Sequence, residues 1–156
     1  MKRGRVTTQI VARVLLAIFC RLQGIGTAAI DLGRAHATNP LWPGHARFHV
    51  VWQVGSVGFL SGSEIVLILF PGRFVEPRFY PALVLAAVPV FGFFAALIGS
   101  RFYGGTLSDS NGIQPVQLHL GGVRVRVDLN LAAEIVAAVT LGVIAVLYRH
   151  TRGKLL

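Results

Sequence analysis

The chain is 156 residues long; 54% are hydrophobic and only 13% are charged, where a soluble domain carries roughly 25% charged residues. That excludes an ordinary soluble enzyme, and the same numbers exclude a disordered chain. Lysine and arginine number 15 against 6 aspartates and glutamates, but many of these cations flank apolar blocks, where they meet lipid headgroups and set topology; no nucleic-acid partner is expected.

In chain order, the first apolar span covers about 9–30 and is interrupted by Arg13 and Arg21. Lys2, Arg3 and Arg5 before it, with Ala28 and Ala29 after it, also fit a secretory signal. Its uninterrupted core, Val14 to Cys20, is at the short limit of about 7 residues, so the segment reads as a retained helix with Cys20 as a core residue. The second span, about 46–70, contains His49 and Glu64 and is closed by Pro71-Gly72. The third, about 80–100, carries no charge between Arg78 and Arg101. At about 1.5 Å per residue it crosses a hydrocarbon core about 30 Å thick, with a kink expected at Pro89.

The stretch of about 115–128 alternates as Val116-Gln-Leu-His-Leu, then Gly121-Gly122, then Val123-Arg-Val-Arg-Val, and predicts a β-hairpin. Arg124 and Arg126 share one face of it, where phosphate headgroups or an anionic substrate would meet them. The fourth span, about 129–148, has Glu134 near its start and ends in Tyr148, Arg149, His150, Arg152 and Lys154, an aromatic and basic flank suited to a membrane surface. The fold class that follows is an all-α membrane protein. It is a four-helix transmembrane bundle with a small extramembrane β-hairpin between helices 3 and 4, and residues 1–156 form a single integral membrane domain.

With both termini on one side, that side holds Lys2, Arg3, Arg5, Arg73, Arg78, Arg149, Arg152 and Lys154, against Arg34, Arg47, Arg101, Arg124 and Arg126 on the other. The bias places both termini in the cytoplasm, with the inner (plasma) membrane as the expected location.

Polar groups inside spans cost a few kcal/mol each at mid-bilayer, so their positions are informative. At about 100° per residue, His45, Trp52, Gln53, Ser56, Ser63 and Glu64 all lie within about 60° of His49 on the second span. The far side holds Gly55, Gly58 and Gly62; Gly58 and Gly62 form a small-xxx-small pair that would suit a homo-oligomer contact. On the first span Gln9, Ala17, Gly24, Thr27 and Asp31 lie within about 40° of Arg13, with Arg21 at about 80°. Counted from Asp31 and Ala46, Arg13 and Glu64 lie at equal depth, which predicts a buried ion pair between them. Such a pair fixes register; alternatively Glu64 is a poised acid, or Arg13 anchors an anionic headgroup. Arg21 has no equally deep partner and would face a cavity.

A second cluster gathers near the other surface: Asp31, His36, His45, His49 and Glu134. His45 and His49 are i and i+4, so both imidazoles can face one point. His36, His45 and His49 would suit a divalent metal, Zn or Fe. The competing chemistry is metal-free, with His45 or His49 as acid or base and Asp31 or Glu134 orienting it. Structural hydrogen bonds and helix capping are the third possibility.

Asn39-Pro-Leu-Trp-Pro-Gly-His-Ala-Arg-Phe-His49, with Asp31 and His36 upstream, resembles an uncharacterised family of small four-helix membrane proteins of bacteria and fungi. Its members carry an Asn-Pro-x-Trp-Pro-x-His-Ala-Arg/Lys-Phe-His signature after the first span, with Pro frequent where this chain has Gly44. Arg101-Phe-Tyr-Gly-Gly-Thr-Leu-Ser-Asp109 is similar to a later segment of them. The resemblance implies the four-span plan and supplies no reaction. A looser, architectural likeness is to the sterol-isomerase and sigma-2-receptor group of small bundles, whose buried His and acidic residues bind lipids or move protons. The expected function is therefore a membrane-embedded enzyme acting on a lipid or isoprenoid-like substrate. The alternative is a non-enzymatic lipid-binding or membrane-complex assembly protein. Membrane lipid is the expected partner of either.

Overall fold

The structure, a computed structural model, describes residues 2–72 and 74–152, so Arg73 and Lys154 of the flanking cations lie outside the described residues. The elements run α1 (Lys2–Asp31), α2 (Gly44–Leu69), α3 (Phe79–Tyr103), β1 (Val116–Leu120), β2 (Val123–Val127) and α4 (Leu129–Arg152). All four helices are long and apolar enough to cross a membrane. The chain is an integral membrane protein, an all-α four-helix bundle with a small hairpin between α3 and α4. Helix α1 extends well before the apolar span, because no proline or glycine pair stops it between Lys2 and Gln9.

Local chemistry sets the other ends. Proline fixes its own φ, so Pro43 stands in extended conformation as the cap of α2 (φ −57°, ψ 145°) and its carbonyl accepts from the Arg47 amide at 3.1 Å. Phe70 turns extended ahead of Pro71, which disfavours a helical residue before it, and α2 stops. Gly104 closes α3 in the left-handed region at φ +70°. The Asp128 carboxylate accepts from the Leu131 amide at 3.0 Å and starts α4. Helix α3 runs through Pro89 as one helix. The hairpin turns at Gly121 and Gly122, both at positive φ, and pairs Gln117 with Arg126 and His119 with Arg124.

Four antiparallel helices put the start of α1 and the end of α4 on the side of the α2–α3 turn, called here the turn end; the hairpin and residues 32–43 lie at the hairpin end. Helix α1 packs against α2 and α4, and α3 closes the ring between them. Close packing is concentrated toward the turn end, where Leu16, Ile68, Phe79, Ile144 and Tyr148 are fully buried. Tyr148 stacks on Phe79 with ring centres 3.7 Å apart, and its hydroxyl donates to the Glu76 carbonyl at 2.8 Å. The last carbonyls of a helix have no partner within it. Here Arg13 donates to the carbonyls of Ile68 and Val75, and Arg78 donates to those of Phe70 and Phe74.

The hairpin half is held differently. Asn39 is buried in the α1–α2 connection, and its side-chain amide donates to the Asn111 carbonyl at 2.6 Å, while its Oδ1 accepts from the Leu41 amide at 3.0 Å. Asp109 in turn accepts from the Asn111 amide at 2.6 Å. Asn39 and Asp109, far apart in sequence, thus meet through Asn111 in a cap of loops over the ends of α1 and α4.

Candidate functional site

The register of α1 against α2 decides which polar groups meet. Gly24 lies against Ser61: a Cβ on Gly24 would sit 2.8 Å from the Ser61 hydroxyl. Small residues allow this close approach, and it fixes the helices more firmly than their ends do. Counting outward from this contact, Asp31 is level with about Val54, roughly 12 Å of helix rise from the Ala46 level assumed above. The expected Arg13–Glu64 pair does not form. Arg13 reaches the Ile68 carbonyl near the end of α2 and the Val75 carbonyl beyond it instead, and Glu64, fully buried, lies beside Cys20.

Beyond the close-contact half, α1 and α4 separate around a cavity of about 880 Å³. Asp31, His36, Glu134, Gln53 and Asn130 line it toward the hairpin end, and Gln23, about 12 Å of helix rise below Asp31, lines it farther down. Its walls then run down α1 to Leu15 and down α4 from Asn130 to Ile144 and are almost wholly apolar. From Asp31 to Leu15 the wall is about 24 Å long at 1.5 Å per residue. Several wall residues open outward, Leu22 with 67% and Val136 with 64% of their surface exposed.

At the polar end His36 Nδ1 lies 3.8 Å from Asp31 Oδ1, and Trp42 meets the imidazole edge-on at 5.4 Å. Gln23 donates to the Ala86 carbonyl of α3 at 3.2 Å. Three buried atoms around the cavity have no hydrogen-bond partner: Gln23 Oε1, His36 Nδ1 and Glu134 Oε2. Buried polar atoms left unmatched cost about 1–3 kcal/mol each, so these are positions where a ligand group has something to gain.

His45 and His49 lie elsewhere. They are exposed, their Nε2 atoms 3.0 Å apart, and His49 stacks on Trp52 at 5.7 Å. By the Gly24–Ser61 register they stand about 14 Å and 8 Å beyond the level of Asp31. The expected set of His45, His49, Asp31 and Glu134 therefore divides: the two carboxylates line the cavity and the two histidines do not. The expected metal set of His36, His45 and His49 divides in the same way. Among the described residues no three His, Cys, Asp or Glu side chains converge as a metal site.

The polar stripe on α2 divides along its edge. The buried side of α2 is Val57, Ser61, Glu64 and Ile68, centred about 90° from His49 at 100° per residue. Glu64, on the near edge of that side, is buried, and Gln53, on the same edge, is exposed and lines the cavity. Ser56 and Ser63, on the other edge, are exposed and donate to the carbonyls of Trp52 and Phe59 one turn back. Gly58 and Gly62 face open space, with nothing within 4 Å of an added Cβ. Arg21 is exposed on the outside of α1 and does not line the cavity. Arg124 and Arg126 are exposed on the hairpin, Arg126 reaching Ser108 Oγ at 3.5 Å.

Sequence reasoning overlooked Gln23 and Asn130, and it read His36 only as a metal ligand. The available signal for Gln23 was a lone amide eight residues below the helix end, in an otherwise apolar run. No family model, curated protein or solved structure matches this chain, so its chemistry rests on the geometry described above.

Proposed function

We propose that the protein takes up a long-chain or isoprenoid-like amphiphile in the α1–α4 cavity and acts on its polar end by acid–base chemistry. The observation that carries this reading is the shape of the cavity: one polar end, a long apolar wall, and an opening between two membrane-spanning helices. Such a space accepts a lipid chain laterally from the bilayer and brings its head to Asp31, His36 and Glu134. His36 is the proton-exchanging group in this reading, Asp31 orients it, and Glu134 on the α4 wall is the second acid or base. The turn end faces the cytoplasm of a plasma membrane, and Arg124 and Arg126 meet phosphate headgroups at the opposite surface.

Non-enzymatic lipid carriage or assembly is the second reading, and one observation favours it. At 3.8 Å, Asp31 is beyond hydrogen-bond reach of His36, so the imidazole is not yet held in one tautomer. Lipid extracted from purified wild type, His36→Gln and Thr140→Trp separates the cases. Binding predicts a lipid in wild type that the cavity-filling Thr140→Trp lacks. Chemistry predicts, in addition, a different lipid in His36→Gln, the unconverted form. The same lipid in wild type and His36→Gln supports carriage alone, and no lipid dependent on Thr140 contradicts both.

A further inference from the structure

Resting on the cavity as a lipid site, we propose that its ligand carries a hydrogen-bond-donating head, an alcohol or amine, and neither a phosphate nor a carboxylate. The polar lining carries two carboxyls and two unpartnered buried oxygens. Asp31 and Glu134 contribute carboxyls, and the Glu134 Oε2 is buried without a partner. Gln23 contributes a second unpartnered buried oxygen, and its orientation is fixed: turning the amide over would set its oxygen against the Ala86 carbonyl oxygen.

Several donors nearby are already committed, while Thr27, Trp42 and Gln53 line the cavity with neutral donors and bring no positive charge to it. Gln23 donates to Ala86, Asn130 to the Leu107 carbonyl at 3.4 Å, and Thr140 to the Val136 carbonyl at 2.7 Å. Among the described residues no lysine or arginine lines the cavity. Arg34, Arg47 and Arg101 belong to the loop and helix ends outside it, and Arg124 and Arg126 to the hairpin. An anionic head would face two carboxyls in a low-dielectric site with no cation, and like charges at such range are strongly unfavourable. A hydroxyl or ammonium would instead supply the protons that Gln23 and Glu134 lack. His36, beside Asp31, adds an imidazole that accepts or donates as its tautomer allows.

The test uses four probes with the same chain and different heads: hexadecanol, hexadecylamine, hexadecyl phosphate and palmitate. Each is titrated against the full-length protein, stripped of lipid in detergent, with native mass spectrometry as the readout. The alcohol and the amine are expected to bind at least about tenfold more tightly than the phosphate and palmitate, tenfold corresponding to about 1.4 kcal/mol. Glu134→Gln should weaken the amine more than the alcohol, and Gln23→Leu should weaken both, with the ligand-free thermal midpoint reporting that each variant is folded. Phosphate or palmitate binding as tightly as the alcohol overturns the assignment of the head while leaving the cavity a lipid site. No chain-bearing probe binding at all, or binding unchanged in Thr140→Trp, overturns the cavity reading and this inference with it.

Discussion

Gly24 and Gly26 lie two residues apart in α1, on nearly opposite faces, and their surroundings differ. A Cβ at Gly24 would stand 2.8 Å from Ser61 Oγ and 2.9 Å from Ser61 Cβ, whereas nothing lies within 4 Å of one at Gly26. Gly24→Ala must push α1 from α2 and should cost about 1–3 kcal/mol, as overpacking does. Gly26→Ala should be neutral or stabilise by up to about 1 kcal/mol, since it removes a flexible residue from a helix interior. Unfolding of both variants in mixed detergent and SDS micelles measures the contrast. A second residue-scale prediction concerns Arg13 and Glu64. Arg13→Met loses hydrogen bonds to two carbonyls and should cost about 1.5–3 kcal/mol. Since Glu64 is not its partner, the double-mutant cycle with Glu64→Gln should give a coupling below about 0.5 kcal/mol. The sequence showed that both residues were polar and deep; it could not show that a glycine-to-serine contact, rather than the helix ends, sets their relative height.

At the scale of elements, the four helices were legible because each apolar block is long, and the hairpin because Val116–Val127 alternates about two glycines. The direction each helix faces was less so. A stripe 120° wide, as on α2, is wider than the contact with one neighbour, so on one edge Glu64 is buried and Gln53 lines the cavity while Ser56 and Ser63 face outward. The same ambiguity touches α1, whose polar side includes Arg21 by periodicity alone. Arg21 is exposed, about 15 Å along the helix from Asp31 and about 12 Å from Arg13. A guanidinium near mid-bilayer costs roughly 2.5–3.5 kcal/mol on insertion scales. Arg21→Leu should therefore raise the stability of the bundle in bilayers, measured by steric trapping or SDS unfolding from bicelles; a loss of stability would mean that Arg21 holds a contact.

At the scale of the molecule, the bundle has a close-contact half and an open half, and stability and binding should follow that division. Tyr148, fully buried on Phe79, should cost about 3–5 kcal/mol when replaced by Ala, the range for large aromatic truncations in a core. Val136 is 64% exposed on the cavity wall, and Val136→Ala should change stability by less than about 0.5 kcal/mol. SDS unfolding of the two variants gives the comparison directly. Asp31 and Glu134 were legible from sequence as members of a polar cluster at one end of the bundle, because both sit near the ends of apolar spans. That they share a cavity with His36 and not with His45 or His49 depends on the height of α2 relative to α1, which the Gly24–Ser61 contact sets.

The most direct measurement is photolabelling with a hexadecanol analogue carrying a diazirine along its chain, in liposomes, with the labelled residues mapped by peptide mass spectrometry. The account predicts saturable labelling on both walls of the cavity, over Leu15–Leu22 of α1 and Val136–Val143 of α4, competed by unlabelled hexadecanol and lost in Thr140→Trp. Labelling that does not saturate, or that falls equally on the outward face of α2 around Gly58 and Val66, would contradict it.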